Sequence, residues 1–373
     1  MEKNYKKFVW ITVLSGILLL SAGLLLLPKK DYSEQENRYL EQFPEFSLET
    51  LADGSFMQDF ETYVCDHFPL RDAFMTVRTW YERLTGRNQV NGIYLCDDGY
   101  FIEEYETPEN TARIISTFTR FEEKITDAEV AFLLAPTAVT IYADKLPQNV
   151  RNADQLAEIE TIYAALSSAK VDVANALFAQ KDAYPLYYRL DHHWTTYGAY
   201  FAYVEYCHAL GLTPYSMDEF TPTVVSDDFQ GTIYSKLNDS FAGADEITIF
   251  AQENTDLTVT YHDTGEVTDT LYAPDYLDTK DQYSYFLNNI HPMIEVTNHS
   301  ADNDNVLVLI KDSYANCMVP FLTNHYKTIY VVDTRYYKNS ISTFINENPG
   351  ITNVLVLYNL NTMDDDLGIG GIY

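Results

Sequence analysis

Residues 8 to 27 run without a single charge, and about twenty apolar residues is the length one helix needs to cross the hydrocarbon core of a bilayer. In lipid the backbone must satisfy its own hydrogen bonds, so a helix is the form open to this run. Lys3, Lys6 and Lys7 precede it, as for a cytoplasmic N-terminus, and Lys29 and Lys30 follow it, so the charge bias is small. A cleaved signal peptide is the rival reading. The run reaches Leu27 without a small-x-small cleavage site, and Ser21-Ala22-Gly23 falls inside it, which favours an uncleaved anchor. Residues 1–28 thus read as a cytoplasmic tip and transmembrane anchor, residues 29–50 as a polar stalk, and residues 51–373 as an extracytoplasmic domain. No second stretch of comparable length occurs in the sequence.

Apolar residues make up 46% of the 373, as in a globular chain rather than a disordered one. With 24 basic against 55 acidic residues the net charge is −31, which repels phosphates and argues against a nucleic-acid binder. The 31 tyrosines suit a sugar-handling surface, and equally suit ordinary strands and core. Cys65, Cys96, Cys207 and Cys317 form no CxxC pair and no metal-ligand spacing. Cys65 and Cys96 could pair in an oxidising compartment; alternatively all four are isolated small hydrophobes.

Helical patterns cover roughly 55–64 and 70–85, the second closing at Gly86. Residues 90–102 read as a hairpin turned at Asp98-Gly99. Thr107-Pro108-Glu109 opens a helix to about Ile125, with proline at the favoured first position. Strands and helices then alternate: strand 130–134, helix 153–169, strand 171–173, and a helix after Trp194 that stops at Gly211. Residues 212–300 are less regular, with β-pairs around 256–272, and read as an insertion, either shaping an acceptor groove or without a part in catalysis. The alternation returns with strand 305–310, helix 314–323, strand 329–332, helix 339–347 and strand 353–358. Buried apolar strands alternating with helices point to an α/β fold built on a parallel sheet.

Two segments carry chemistry. The strand at 305–310 runs straight into Lys311-Asp312-Ser313-Tyr314. A serine at a strand-to-helix turn exposes its hydroxyl beside free N–H groups and a positive dipole end, the donors that an acyl-transfer oxyanion needs. Asp312 or Ser313 could instead be an ordinary helix cap. Earlier stands Asp191-His192-His193-Trp194. In extended chain, residues two apart share a face, so Asp191 could orient His193 as the base that an unactivated serine requires. A metal site is a rival reading, since carboxylate and imidazole suit zinc or manganese. His67, His208, His262, His291, His299 and His325 are scattered and offer no further ligand motif. For His192 and Trp194 a supporting role fits better than a catalytic one.

At these residues the chain resembles the DHHW protein family, found mostly in Gram-positive bacteria and named for the motif at 191–194. The resemblance extends over Glu36-Asn37-Arg38-Tyr39-Leu40, Asp66-His67-Phe68-Pro69-Leu70-Arg71-Asp72 and Asn91-Gly92-Ile93-Tyr94. Later marks are Phe229-Gln230-Gly231-Thr232, Lys311-Asp312-Ser313-Tyr314, Asp333-Thr334-Arg335-Tyr336-Tyr337 and Leu357-Tyr358-Asn359. Motif order is also similar to that of the alginate O-acetylation proteins, which have an SGNH-hydrolase-like fold and place Asp-x-His before Gly-Asp-Ser. The resemblance implies Ser313 as nucleophile, His193 as base, Asp191 as its orienter and Asp312 as a support. It implies O-acetyl transfer to, or removal from, a polysaccharide at the cell membrane, without a cofactor or metal. A multi-pass membrane acyltransferase would supply the acetyl group. Lys311 stands where the relatives have glycine, and lysine visits positive φ less readily. Ser313, Asn359 and Asn361 are the oxyanion candidates, and residues 136–142 occupy the place of a substrate-contacting loop in the relatives.

Three functions follow as expectations: a serine O-acyltransferase, an esterase with water as acceptor, or a non-catalytic glycan-binding or assembly subunit. A general-base His193 would make hydrolysis rise through a pKa of about 6 to 7.

Overall fold

The computed structural model describes residues 2–33, 38–239, 241–252 and 256–373; Glu36 and Asn37, two marks of the resemblance, lie outside the described residues. The chain divides into two compact units, Met1–Arg87 with Tyr234–Phe241, and Asn88–Ile233 with Ala242–Tyr373.

In the first unit, helix Glu2–Leu26 contains an apolar span, Asn4–Leu26, long enough to cross a membrane and unburied along its length. Strands β1 (Tyr32–Ser33) and β2 (Arg38–Tyr39) pair antiparallel. Helices Leu48–Asp53, Ser55–Asp66 and Arg71–Leu84 follow. Ser47 and Thr50 close a reciprocal capping box on the first of these, satisfying backbone donors that the first helical turn leaves free. Gly86, at φ 79°, ends the last as expected. Thr76 and Thr79 donate their hydroxyls to the carbonyls of Asn238 and Leu237, both at 2.9 Å, which ties residues 234–241 to this unit. Cys65 is exposed here, while Cys96, Cys207 and Cys317 are buried in the second unit.

The second unit opens with β3 (Gln89–Val90), β4 (Ile93–Leu95) and β5 (Phe101–Glu103) as an antiparallel meander. The expected hairpin is there, but Asn91 and Gly92, at φ 50° and 75°, add a second tight turn. The next helix is Thr111–Lys124, not 107–125. The backbone N–H groups of Glu109 and Asn110 donate to Asp364, so Pro108 belongs to the lead-in rather than to the first helical position.

The remaining strands are β6 (Glu129–Ala135), β7 (Ala169–Val171), β8 (Thr221–Phe229), β9 (Asp245–Ala251), β10 (Leu257–Tyr261), β11 (Val267–Thr268), β12 (Met293–Asn298), β13 (Val306–Lys311), β14 (Thr328–Asp333) and β15 (Asn353–Asn359). An eight-stranded sheet has the order β11-β10-β12-β14-β13-β15-β6-β7. From β14 through β7 all neighbours are parallel; β11, β10 and β12 extend the other edge antiparallel. Residues read as an insertion thus supply sheet strands, and β8 pairs with β9 beside them. Strand 171–173 of the sequence reading sits at 169–171, and Asp172 instead accepts from the Ala174 N–H at 3.1 Å as the chain turns into the next helix. The central strands β6, β13 and β15 are buried almost throughout, as expected for strands covered on both faces.

Candidate active site

Strand β13 ends at Lys311, and Ser313 opens a 3₁₀ turn, Ser313–Cys317, before the short helix Val319–Leu322. The single helix expected at 314–323 is therefore broken, and its dipole is weaker than a continuous helix would provide. Asp312 caps the turn, accepting from the Tyr314 N–H at 2.9 Å. Lys311 lies within the extended strand, so this position needs no glycine. Its buried ammonium faces Asp333 at 3.5 Å across the β13–β14 register. Arg335 grips the same carboxylate through Nε at 2.9 Å and Nη2 at 2.6 Å.

A tight loop carries the Asp191 segment to this turn, closed by a bridge between Tyr187 and Trp194. Trp194 is fully buried and its indole N–H donates to the Tyr314 carbonyl at 2.7 Å. The Tyr314 hydroxyl donates to the His192 carbonyl at 2.6 Å. The segment containing residues 136–142 props the same loop, since Tyr187 donates its hydroxyl to the Pro136 carbonyl at 2.6 Å.

Between the two segments, His193 Nδ1 lies 2.5 Å from Asp191 Oδ1 and His193 Nε2 lies 2.7 Å from Ser313 Oγ. Asp191 and His193 are buried while Ser313 remains half-exposed. An ionised carboxylate only accepts, so Nδ1 carries the proton and the Nε2 lone pair faces the hydroxyl. Asp191 also accepts from the His193 N–H at 3.0 Å, and from the Thr232 N–H at 2.8 Å and its hydroxyl at 3.1 Å. His192 Nδ1 sits 2.6 Å from that same hydroxyl.

Burial alone would raise the Asp191 carboxyl; the two imidazoles and the Thr232 N–H outweigh it and hold the group well below the usual carboxylate range. Burial lowers His193 below the ordinary imidazole value, His192 and Arg335 add to this, and Asp191 opposes it. Burial pushes Asp312 up to about 6 against the N–H groups of Asn359 and Tyr314.

Asp191, His192 and His193 each offer a ligand-type atom, all within 4.8 Å of one another. In this structure those groups hydrogen-bond to Thr232, to Ser313 and among themselves. Of the oxyanion candidates, Asn359 spends its side-chain N–H groups on Asp312 at 2.7 Å and Thr362 at 2.8 Å. Asn361 donates to the Glu104 carbonyl and accepts from Gln155. Ser313 alone of the three candidates lies at the turn itself.

Sequence reasoning assigned no role to Thr232, Gly231, Tyr283 or Arg335. Thr232, Gly231 and Arg335 lie in stretches that carry the resemblance; Tyr283 has no motif around it.

The DHHW protein family matches residues 36–121 and 122–332. The chain belongs to the DHHW protein family. This DHHW protein is similar in structure to a DHHW family protein from Eubacterium siraeum, with a TM-score of 0.67 and 26% identity over 76% of this chain and 95% of that one. It is also similar to Bacillus cereus PatB1, solved with a sulfonyl adduct, with a TM-score of 0.61 and 20% identity over 75% of this chain and 98% of that one. Among curated proteins none matches. The fold is SGNH-hydrolase-like, a mostly parallel sheet flanked by helices, as the resemblance implied.

Proposed function

We propose that this DHHW protein is an extracytoplasmic serine-dependent O-acyltransferase, acting with acetyl groups on a cell-surface or secreted polysaccharide. The observation that carries the reading is the continuous Asp191–His193–Ser313 hydrogen-bonded chain, at 2.5 Å and 2.7 Å, at the carboxyl end of β13. Ligands of open α/β sheets bind at such strand ends.

In this mechanism His193 Nε2 takes the Ser313 proton as Oγ attacks the acyl carbonyl, and Asp191 stabilises the imidazolium. The Ser313 N–H is the donor proposed for the oxyanion. The tetrahedral intermediate collapses as the imidazolium returns its proton to the leaving alcohol, leaving acyl-Ser313. A sugar hydroxyl then attacks the acyl-enzyme, with His193 again accepting the proton, and the second tetrahedral intermediate collapses as the imidazolium protonates the departing Ser313 Oγ, releasing the acylated sugar and the free serine. A cavity of about 650 Å³ lined by Tyr184, Tyr188, Arg189, Tyr197 and Asp227 adjoins the motif segment; tyrosine rings with charged neighbours suit sugar rings. The half-exposed Ser313 also favours esterase activity when no acceptor is bound.

The apolar helix is proposed to retain the protein in the cell membrane, where a multi-pass acyltransferase would supply the acetyl group. Carbonate-resistant membrane association of the full chain supports the anchor, and release of a shortened chain opposes it.

The test of chemistry uses the full chain in detergent, with an activated acetyl ester and with phenylmethanesulfonyl fluoride. The sulfonyl adduct of PatB1 makes the second reagent apt. Acetate release and an adduct on Ser313, both lost in Ser313→Ala and His193→Ala, support the reading. Neither product from wild type would leave the non-catalytic glycan-binding alternative.

A further inference from the structure

One face of the proposed base is covered by a tyrosine. The rings of His193 and Tyr283 stack with centroids 3.7 Å apart and planes 9° from parallel. The Tyr283 hydroxyl donates to the Ser313 carbonyl at 3.0 Å. One side chain therefore touches the base through its ring and the nucleophile's backbone through its hydroxyl. Tyr283 is buried, edged by Tyr188 at 6.4 Å and Phe286 at 5.3 Å. The turn that carries it, Gln282–Tyr285, is tied to β8: Ser226 donates to Gln282 at 2.6 Å, and Gln282 donates to Asp228 at 2.7 Å.

We propose that Tyr283 is a positioning residue that clamps the His193 imidazole against Ser313 and keeps water from its face, a role that rests on the serine acyl-transfer reading. With Asp191 holding Nδ1, the stack leaves the ring little freedom to turn away from Oγ. The other groups facing His193 are Asp191 and His192 from its own segment, Ser313 and Tyr314 from the nucleophile turn, and Arg335 from beyond β14. Lys280 and Asp281, just ahead of Tyr283, couple electrostatically to Asp191.

The experiment measures Ser313 sulfonylation by phenylmethanesulfonyl fluoride against pH, alongside NMR titration of the His193 ring, in full-length wild type, Tyr283→Phe and Tyr283→Leu. In Tyr283→Leu, water reaches the imidazole. The midpoint is expected to climb by about one pH unit or more toward the ordinary value near 6.5, and the plateau rate to fall about tenfold or more. Tyr283→Phe keeps the stack and the midpoint, but loses about two- to fivefold in plateau rate with the Ser313 anchor. A wild-type midpoint and rate in Tyr283→Leu overturn the proposal. If that variant does not fold, an unchanged plateau in Tyr283→Phe overturns the clamp. A wild type that reacts while the variants match it refutes this inference alone; a wild type inert at Ser313 refutes the acyl-transfer reading first.

Discussion

Gly231 lies so close to Asp191 that a Cβ built on it would overlap Oδ2, Cβ and Cγ of the aspartate. The glycine is thus explained by a neighbour 40 positions earlier in the chain, since the hydroxyl of the adjoining Thr232 faces His192 across that interval. Gly231→Ala would push the carboxylate off His193. A displacement of about 1 Å in such a chain costs about 100-fold in rate, so acetyl-ester hydrolysis should fall by about that factor with the protein still folded. Near wild-type hydrolysis would show that the Asp191 position does not matter.

Asp191→Asn should lower turnover by about 10⁴-fold, because an amide stabilises the wrong imidazole tautomer. The structure adds a cost, since Asp191 accepts from Thr232 as well as from His193. An amide turned toward those donors should lose about 1–3 kcal/mol, readable as a lower denaturant midpoint.

Because burial lowers His193, hydrolysis should reach half its plateau below about pH 6, under the range of about 6 to 7 expected for an ordinary imidazole. The same shift acts on stability. Between the folded and unfolded values the unfolded chain holds the proton and the folded chain does not, so the His193 contribution is present above the unfolded value and is lost as pH falls. Asp312, pushed up to about 6, acts in the opposite sense, its folded form retaining a proton that the unfolded chain gives up. Urea midpoints of wild type and His193→Gln at about pH 7 and pH 5 isolate the histidine: wild type should lose more stability on acidification. Equal losses would refute the buried, neutral imidazole.

Asp333 holds both Lys311 at 3.5 Å and Arg335 at 2.6 Å. Asp333→Asn leaves two cations in a buried site without their carboxylate, and should cost about 3–5 kcal/mol. Lys311→Met removes only one of the cations, leaves the Arg335 pair intact and fills similar volume, so it should stay within about 1.5 kcal/mol of wild type. Thermal unfolding of both variants checks the contrast; equal losses would mean that Lys311, rather than Arg335, is the principal partner.

The continuous apolar strands at β6, β13 and β15 were legible because burial on both faces leaves an unbroken hydrophobic run. Helix starts were less legible: Pro108 looked like a first helical residue, yet Asp364, far along the chain, holds the preceding backbone and moves the start to Thr111. Residues 212–300 looked irregular because antiparallel edge strands are short and alternate with long connections. They nevertheless bring Gly231, Thr232 and Tyr283 to Asp191 and His193.

The amino-acid sequence by itself determined the apolar N-terminal helix, the alternating α/β pattern and the two polar clusters at 191–194 and 311–314. These depend on side-chain period and on hydrogen-bonding rules that act within a few residues. Only the tertiary structure decided that His193 Nε2 meets Ser313 Oγ across 120 residues, and that Asn359 serves Asp312. Sheet order and loop closure set those pairings, and they bring together groups whose separation along the chain carries no periodic signal.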